Sequence, residues 1–401
     1  MGEQSGSNPT AVAPSSAPSG EIARARRLLQ AGSTDQAIGL LRRVLQHDPG
    51  NANAHLLLGT ALALVPEEAE AIQELRQAAA LRPDDARTYY TLGTALARFD
   101  DLKAAREAFE RTLVLEPDLT EAHVGLGLIL AQQQDLDSAK EHFELALKGQ
   151  GSTPSAARSR YLLAKVFTAQ HQYTQARREL EAATKLRPKY AEAYLALGLV
   201  CRDLHDEAGA LAAFEQGERL SPDDPEAQFQ LGSALLRNNQ AVGAVRHLQK
   251  AADARPNDRS ILSQLCRALY RAGRKGEADG CEQKAAVIAR TEAAADSRMI
   301  DAAKANNQGV VLESKGDLLG ALQKYRVAVD LYPDQIEFER NLGLVFCRLG
   351  QWEEGITQLR KVLKQHPGDV EATRALYIAL DHTRKTMGAN PAPEEKILKP
   401  N

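Results

Sequence analysis

Hydrophobic and polar positions repeat on a 34-residue frame over most of the chain, and each frame holds two helical stripes. Counting the frame so that a proline closes it at position 32, residues 191–224 read AEAYLALGLVCRDLHDEAGALAAFEQGERLSPDD. Tyr194, Leu197, Gly198 and Cys201 take positions 4, 7, 8 and 11, one face of a first helix. Ala210 and Phe214 take positions 20 and 24 and, with position 27, mark one face of a second helix. Polar residues near position 15 predict the turn between them. Pro222 has no backbone N–H to continue the second helix, so it stops there.

The frame recurs through Pro49, Pro83, Pro117, Pro188, Pro222, Pro256, Pro333 and Pro367. Position 20 is Ala in nine of ten units and Gly355 in the tenth. Small residues at positions 8 and 20 let two antiparallel helix backbones approach closely, and a large residue at position 24 fills the space beside them. A strict period of this kind describes stacked helix pairs and not one globular core. The ten units are 18–51, 52–85, 86–119, 120–153, 157–190, 191–224, 225–258, 259–292, 302–335 and 336–369. The pattern resembles the tetratricopeptide repeat family. That resemblance implies an all-α, right-handed α-α superhelix whose first (A) helices line a concave groove.

Departures from the frame set the expected boundaries. Residues 1–19 are rich in Ser, Pro, Ala and Gly and are expected to be a disordered leader. Repeats one to eight occupy 20–285, with Arg24 in place of the usual Leu at position 7 of the first. Three extra residues lengthen the loop between repeats four and five, at Gly149 to Pro154. Repeat eight has Glu282 at position 24 and Arg290 in place of the proline, so its second helix should run on. Residues 286–301 are therefore read as a helical spacer that interrupts the register, followed by repeats nine and ten over 302–369. A solitary helix over 370–383, with Tyr377 at position 8, is expected to cap the array, and 384–401 to be a mobile tail.

Composition narrows the function. Charged residues make up 26% and hydrophobic residues 43%, and the net charge of -3 gives no electrostatic case for nucleic acid. No apolar run approaches the length of a membrane-spanning helix. The N-terminal stretch has neither a basic start nor an apolar core, which predicts a cytoplasmic protein, with export by way of a removed signal as the alternative. Cys201, Cys266, Cys281 and Cys347 form no CxxC pair and are expected to be free thiols; Cys266 with Cys281 is the one pair placed to form a disulfide.

No nucleotide-binding, zinc-protease or hydrolase motif is present. Gly125 and Gly127 lack the third glycine of a nucleotide loop, and Gly127 is a position-8 packing residue. Cys201 and His205 have metal-ligand spacing, but they are read as a core and a turn residue. His55 and His123 are read as packing residues at position 4. The expectation is a non-enzymatic protein with no cofactor.

The family geometry turns positions 2, 5, 6, 9, 12 and 13 of each A helix into the groove. It thereby places Leu56, Tyr90, Val124, Tyr161, Leu195, Leu199 and Phe229 there as apolar anchors. Arg98, Lys165, Arg202, Arg237, Arg267, Arg271 and Arg340 supply cations suited to carboxylates. Asn306, Asn307 and Asn341 supply donors for a peptide backbone. The expected partner is an extended or helical segment of another protein. The alternative is a regulatory or substrate-docking subunit of a separate enzyme, such as a glycosyltransferase.

Overall fold

The computed structural model describes residues 18–387 apart from 66, 151 and 152. The leader and tail expected at the two ends fall largely outside the described residues. Their described margins, 18–19 and 384–387, belong to helices.

The described residues form twenty helices and no strand. Repeats one to four pair α1 (Pro18–Gln30) with α2 (Thr34–His47), α3 (Ala52–Leu62) with α4 (Glu68–Leu81), α5 (Ala86–Arg98) with α6 (Leu102–Leu115), and α7 (Thr120–Gln132) with α8 (Leu136–Gln150). Repeats five to seven pair α9 (Ala156–Ala169) with α10 (Tyr173–Leu186), α11 (Ala191–Asp203) with α12 (Glu207–Leu220), and α13 (Pro225–Arg237) with α14 (Ala241–Ala254). Then come α15 (Arg259–Arg271), α16 (Lys275–Ser314), α17 (Leu318–Leu331), α18 (Ile336–Arg348), α19 (Trp352–Gln365) and α20 (Val370–Met387). They fall into two compact bodies. One runs to Pro256 and includes Arg271–Gly273; the other holds Asn257–Tyr270 and the residues from Arg274 on.

Three devices recur in the repeats. The first is a knob at position 24. A Cβ on Gly198 would collide with the Phe214 ring, which is fully buried. The absent side chain is what lets α11 and α12 close on each other. The second is the turn at position 15, which adopts the left-handed conformation whether or not it is glycine: Gly32, Gly273, Gly316 and Gly350, but also Asp100, Gln134, His171, His205 and Asn239.

The third is a polar clasp at position 4. His55 Nε2 bonds the Pro49 carbonyl at 2.9 Å, and its Nδ1 meets Glu74 at 2.5 Å. His123 repeats this with Pro117 at 2.8 Å and His142 Nδ1 at 2.9 Å. In repeat seven Gln228 donates to the Pro222 carbonyl at 2.6 Å, and its own carbonyl pairs with His247 at 2.7 Å. Each clasp ties the end of one repeat to both helices of the next. The residues read as packing groups are thus also hydrogen-bonding ones.

In the first body, neighbouring A helices touch from α1 through to α11, while neighbouring B helices barely meet. The A helices therefore line the inner side of its curve. In the second body, α16 is one 40-residue helix. It joins the second helix of repeat eight, the expected spacer and the first helix of repeat nine. Between 279 and 301 no residue of α16 is fully buried.

The structure corrects the reading of the cysteines. Cys266 and Cys281 are bonded to each other, with their Cα atoms 5.5 Å apart. Cys201 and Cys347 are free, and burial raises both thiols above their ordinary pKa.

Candidate protein-binding groove

A cleft of about 800 Å³ opens on the A-helix side of the first body, across repeats three to five. Its floor is Tyr90 and Thr94 of α5, Val124 and Leu128 of α7, and the tip of the Phe109 ring from α6. Phe109 is nearly buried, yet it reaches the floor because α7 carries Gly125 above it. A Cβ on Gly125 would lie 2.7 Å from Phe109 Cζ. One ring thus fills the knob under Gly93 and also supplies apolar surface to the groove. Tyr90 leans on it with ring centroids 5.9 Å apart.

The rim is charged. Arg158 of α9 and Arg187, which follows α10, are both exposed and line the cleft with Glu121. Neither guanidinium takes part in an ion pair among the described residues; Arg187 lies 4.7 Å from the Tyr190 ring centroid. Beside them Tyr161 and Tyr190 are 5.3 Å apart. Burial raises both phenols above their ordinary pKa, helped by Glu192 for Tyr161 and by Tyr161 itself for Tyr190. They therefore stay neutral near pH 7.

The expected groove residues separate into groups. Tyr90 and Val124 meet in this cleft. Leu56, Tyr161, Leu195, Leu199 and Phe229 are half-buried elsewhere along the A helices, Leu195 filling the space that Gly217 leaves. Arg98, Lys165 and Arg267 are exposed, Lys165 lying 5.9 Å from the Tyr161 ring centroid.

The other cations hold the chain together. Arg202 pairs with Asp203, Arg237 with Glu207, and Arg340 with Asp369 and Glu371, while Arg271 donates to the Leu236 carbonyl at 3.1 Å. Asn306 is only 2% exposed and accepts from Asn341 at 2.9 Å. One amide hydrogen of the half-buried Asn341 is thus used inside the chain, and Asn306 is closed off from solvent. Asn307 is exposed in the second body.

In the sequence alone, Gly125 reads as half of an incomplete nucleotide loop. Its signal was there: a glycine at position 6, away from the position-8 contact. Arg187 carried no signal, because it lies just beyond a B helix and not on an A helix.

Models of the tetratricopeptide repeat match residues 28–87, 86–118, 118–189, 161–225, 202–259 and 341–369. The chain belongs to the tetratricopeptide repeat family. It is similar to the BBSome complex member bbs-4 of Caenorhabditis elegans, at 38% identity over 64 residues, which is 16% of this chain and 14% of that protein. Among solved structures it is similar to pilF of Pseudomonas aeruginosa (26% identity, 53% of this chain and 95% of that one, TM-score 0.47). It is also similar to a tetratricopeptide repeat protein of Parabacteroides merdae (17% identity, 63% and 98%, TM-score 0.47). Proteins of the tetratricopeptide repeat family bind other proteins. Among the described residues no helix is long and apolar enough to cross a membrane.

Proposed function

We propose that this scaffold is non-catalytic and binds an extended segment of another protein in the cleft across repeats three to five. One observation carries the reading: an apolar floor beside two exposed guanidiniums without carboxylate partners. Such a site favours a segment with a large apolar anchor followed by acidic residues. The anchor covers Val124, Leu128 and the Phe109 edge, and the carboxylates meet Arg158 and Arg187. The bond between Cys266 and Cys281 favours export over the cytoplasm, because disulfides persist in oxidising compartments.

The test is fluorescence anisotropy with a labelled peptide of sequence Ala-Phe-Glu-Glu-Ala. Wild-type protein is expected to bind it at least about tenfold more tightly than Arg158→Glu/Arg187→Glu, a difference of about 1.4 kcal/mol. Both substitutions are at exposed positions, so circular dichroism should be unchanged. Equal binding by the two proteins refutes the cleft as the site.

A further inference from the structure

Repeat nine exposes a face that the other inner repeats bury. In the first body, positions 7 and 10 of an A helix pack on the B helix of the repeat before, as Leu92 and Ala95 do on Leu75 and Ala79. Repeat ten follows the same rule, with Leu342 and Val345 against Leu322 and Tyr325. Position 10 is thus closed off at Val200 and Val345, which are 1% and 0% exposed. In repeat nine the same position is Val311, and it is 50% exposed. Position 3 is fully buried at Ala193, whereas Lys304 in repeat nine is exposed.

The cause is the continuity of α16. No helix folds back before Ala302, because the preceding residues extend the same axis. The uncovered face is a cleft of about 730 Å³ with Ile300, Ala303, Val311 and Leu312 as its apolar surface, and with Lys304 and Lys324 beside them. Ile300 is 67% exposed.

We propose that this face docks an acidic amphipathic helix of a partner protein, seated as the B helix of a preceding repeat is seated elsewhere in the chain. In shape, the surface receives one helix about four turns long, since the B helices of the regular repeats are 14 residues. In charge, repeat seven supplies the precedent. There Glu218 of the preceding α12 accepts from Gln228 at 3.0 Å and lies 4.0 Å from His247, the position-23 residue. In repeat nine position 23 is Lys324. A glutamate placed like Glu218 would meet its ammonium, and Lys304 adds a second cation on the same side. Neither lysine forms an ion pair among the described residues. This surface lies wholly in the second body, so the proposal is independent of the cleft in the first.

The test uses the full chain and a hydrocarbon-stapled peptide with the α12 sequence, residues 207–220, which carries Glu215 and Glu218. Amide exchange over 300–311 is expected to slow on adding peptide. Affinity is expected to fall at least about tenfold in Val311→Glu and in Lys304→Glu/Lys324→Glu, and a peptide bearing Glu215→Lys and Glu218→Lys should regain binding to the double variant. Val311 and Lys304 are exposed and Lys324 is half-buried, and matching thermal melts will confirm that the variants fold. Unchanged exchange at about 1 mM peptide overturns the proposal, as does wild-type affinity in both variants. Sedimentation gives the remaining outcome. Self-association of wild-type protein that Val311→Glu abolishes would assign the face to a second copy and overturn the partner helix.

Discussion

Repeat six and repeat eight join their two helices by different means. In repeat six, Phe214 at position 24 packs under Gly198 at position 8, and α11 and α12 interlock by shape. In repeat eight, position 8 is Cys266, position 24 is the exposed Glu282, and a disulfide from Cys266 to Cys281 joins the helices. Interlocking by shape requires both helices to keep the repeat geometry along their whole contact. A covalent bond requires only that two points stay together. That difference lets α16 leave the frame after Cys281 and run on to Ser314, which leaves the face of repeat nine uncovered.

The largest expected effect breaks the shape contact. Phe214→Ala removes a fully buried ring that has no room to be replaced by its neighbours, and should cost about 3–5 kcal/mol. Because stability in a repeat array is local, amide exchange should accelerate first in α11, α12 and their immediate neighbours. Uniform acceleration along the chain would show that the repeats unfold as one block.

Breaking the covalent contact should cost somewhat less. The bond closes a loop with a sequence separation of 15, for which chain-entropy arguments give about 3 kcal/mol. Cys266→Ser/Cys281→Ser, or reduction by dithiothreitol, should speed exchange over 259–285 and leave repeat six unchanged. If exchange in repeat eight does not respond, then the apolar side of α15, with Ile261 and Leu265, holds it without help.

A still smaller effect separates repeats with histidine clasps from repeats without them. Burial holds His142 and His247 below the ordinary imidazole pKa of 6.5; His123 adds to this for His142 and Arg246 for His247. Glu141 and Glu110 act the other way on His142, as Glu218 does on His247. His123 donates from Nε2 to the Pro117 carbonyl, so its Nδ1 accepts from His142 Nδ1. With the folded pKa depressed, the unfolded chain binds protons first. The contribution is complete above the unfolded pKa near 6.5 and is lost as the pH falls below it. Protection factors in repeats four and seven should therefore fall between about pH 7 and pH 5, while those in repeat six, with Tyr194 and Ala213 at these positions, stay level. Equal pH dependence in all three would remove the clasps as its cause.

These contrasts also mark what the sequence could tell. The repeat frame was legible because each position is fixed by a nearby contact: Gly198 by Phe214, Pro222 by the end of α12. The run-on of the second helix of repeat eight was legible from Arg290, where the stop proline is missing. What escaped depended on distant or doubled contacts. Gly125 matters through a ring from the preceding helix. Asn306 and Asn341 are 35 residues apart and pair inside the chain. The Cys266–Cys281 pair was legible as the one candidate, but not its bond, because cysteine at position 8 also suits a small packing residue and only the geometry of the facing helix decides between them.

The smallest effect sharpens the comparison at the turn. Position 15 is left-handed in both repeats, with φ 61° at His205 in repeat six and 79° at Gly273 in repeat eight. For a residue with a Cβ this conformation costs about 1–2 kcal/mol, and glycine relieves that while losing more backbone freedom on folding. The balance favours glycine, so His205→Gly should stabilise repeat six by up to about 1 kcal/mol, and Gly273→His should destabilise repeat eight by a similar amount. His205 is exposed, and no packing is lost with its ring. A control separates relief of strain from a general effect of glycine. Ala212 is exposed in the middle of α12, where glycine should cost about 1 kcal/mol. Chemical denaturation should thus move in opposite directions for His205→Gly and Ala212→Gly. Destabilisation by both would mean that the histidine turn carries no strain, and that repeat eight gains nothing from its glycine.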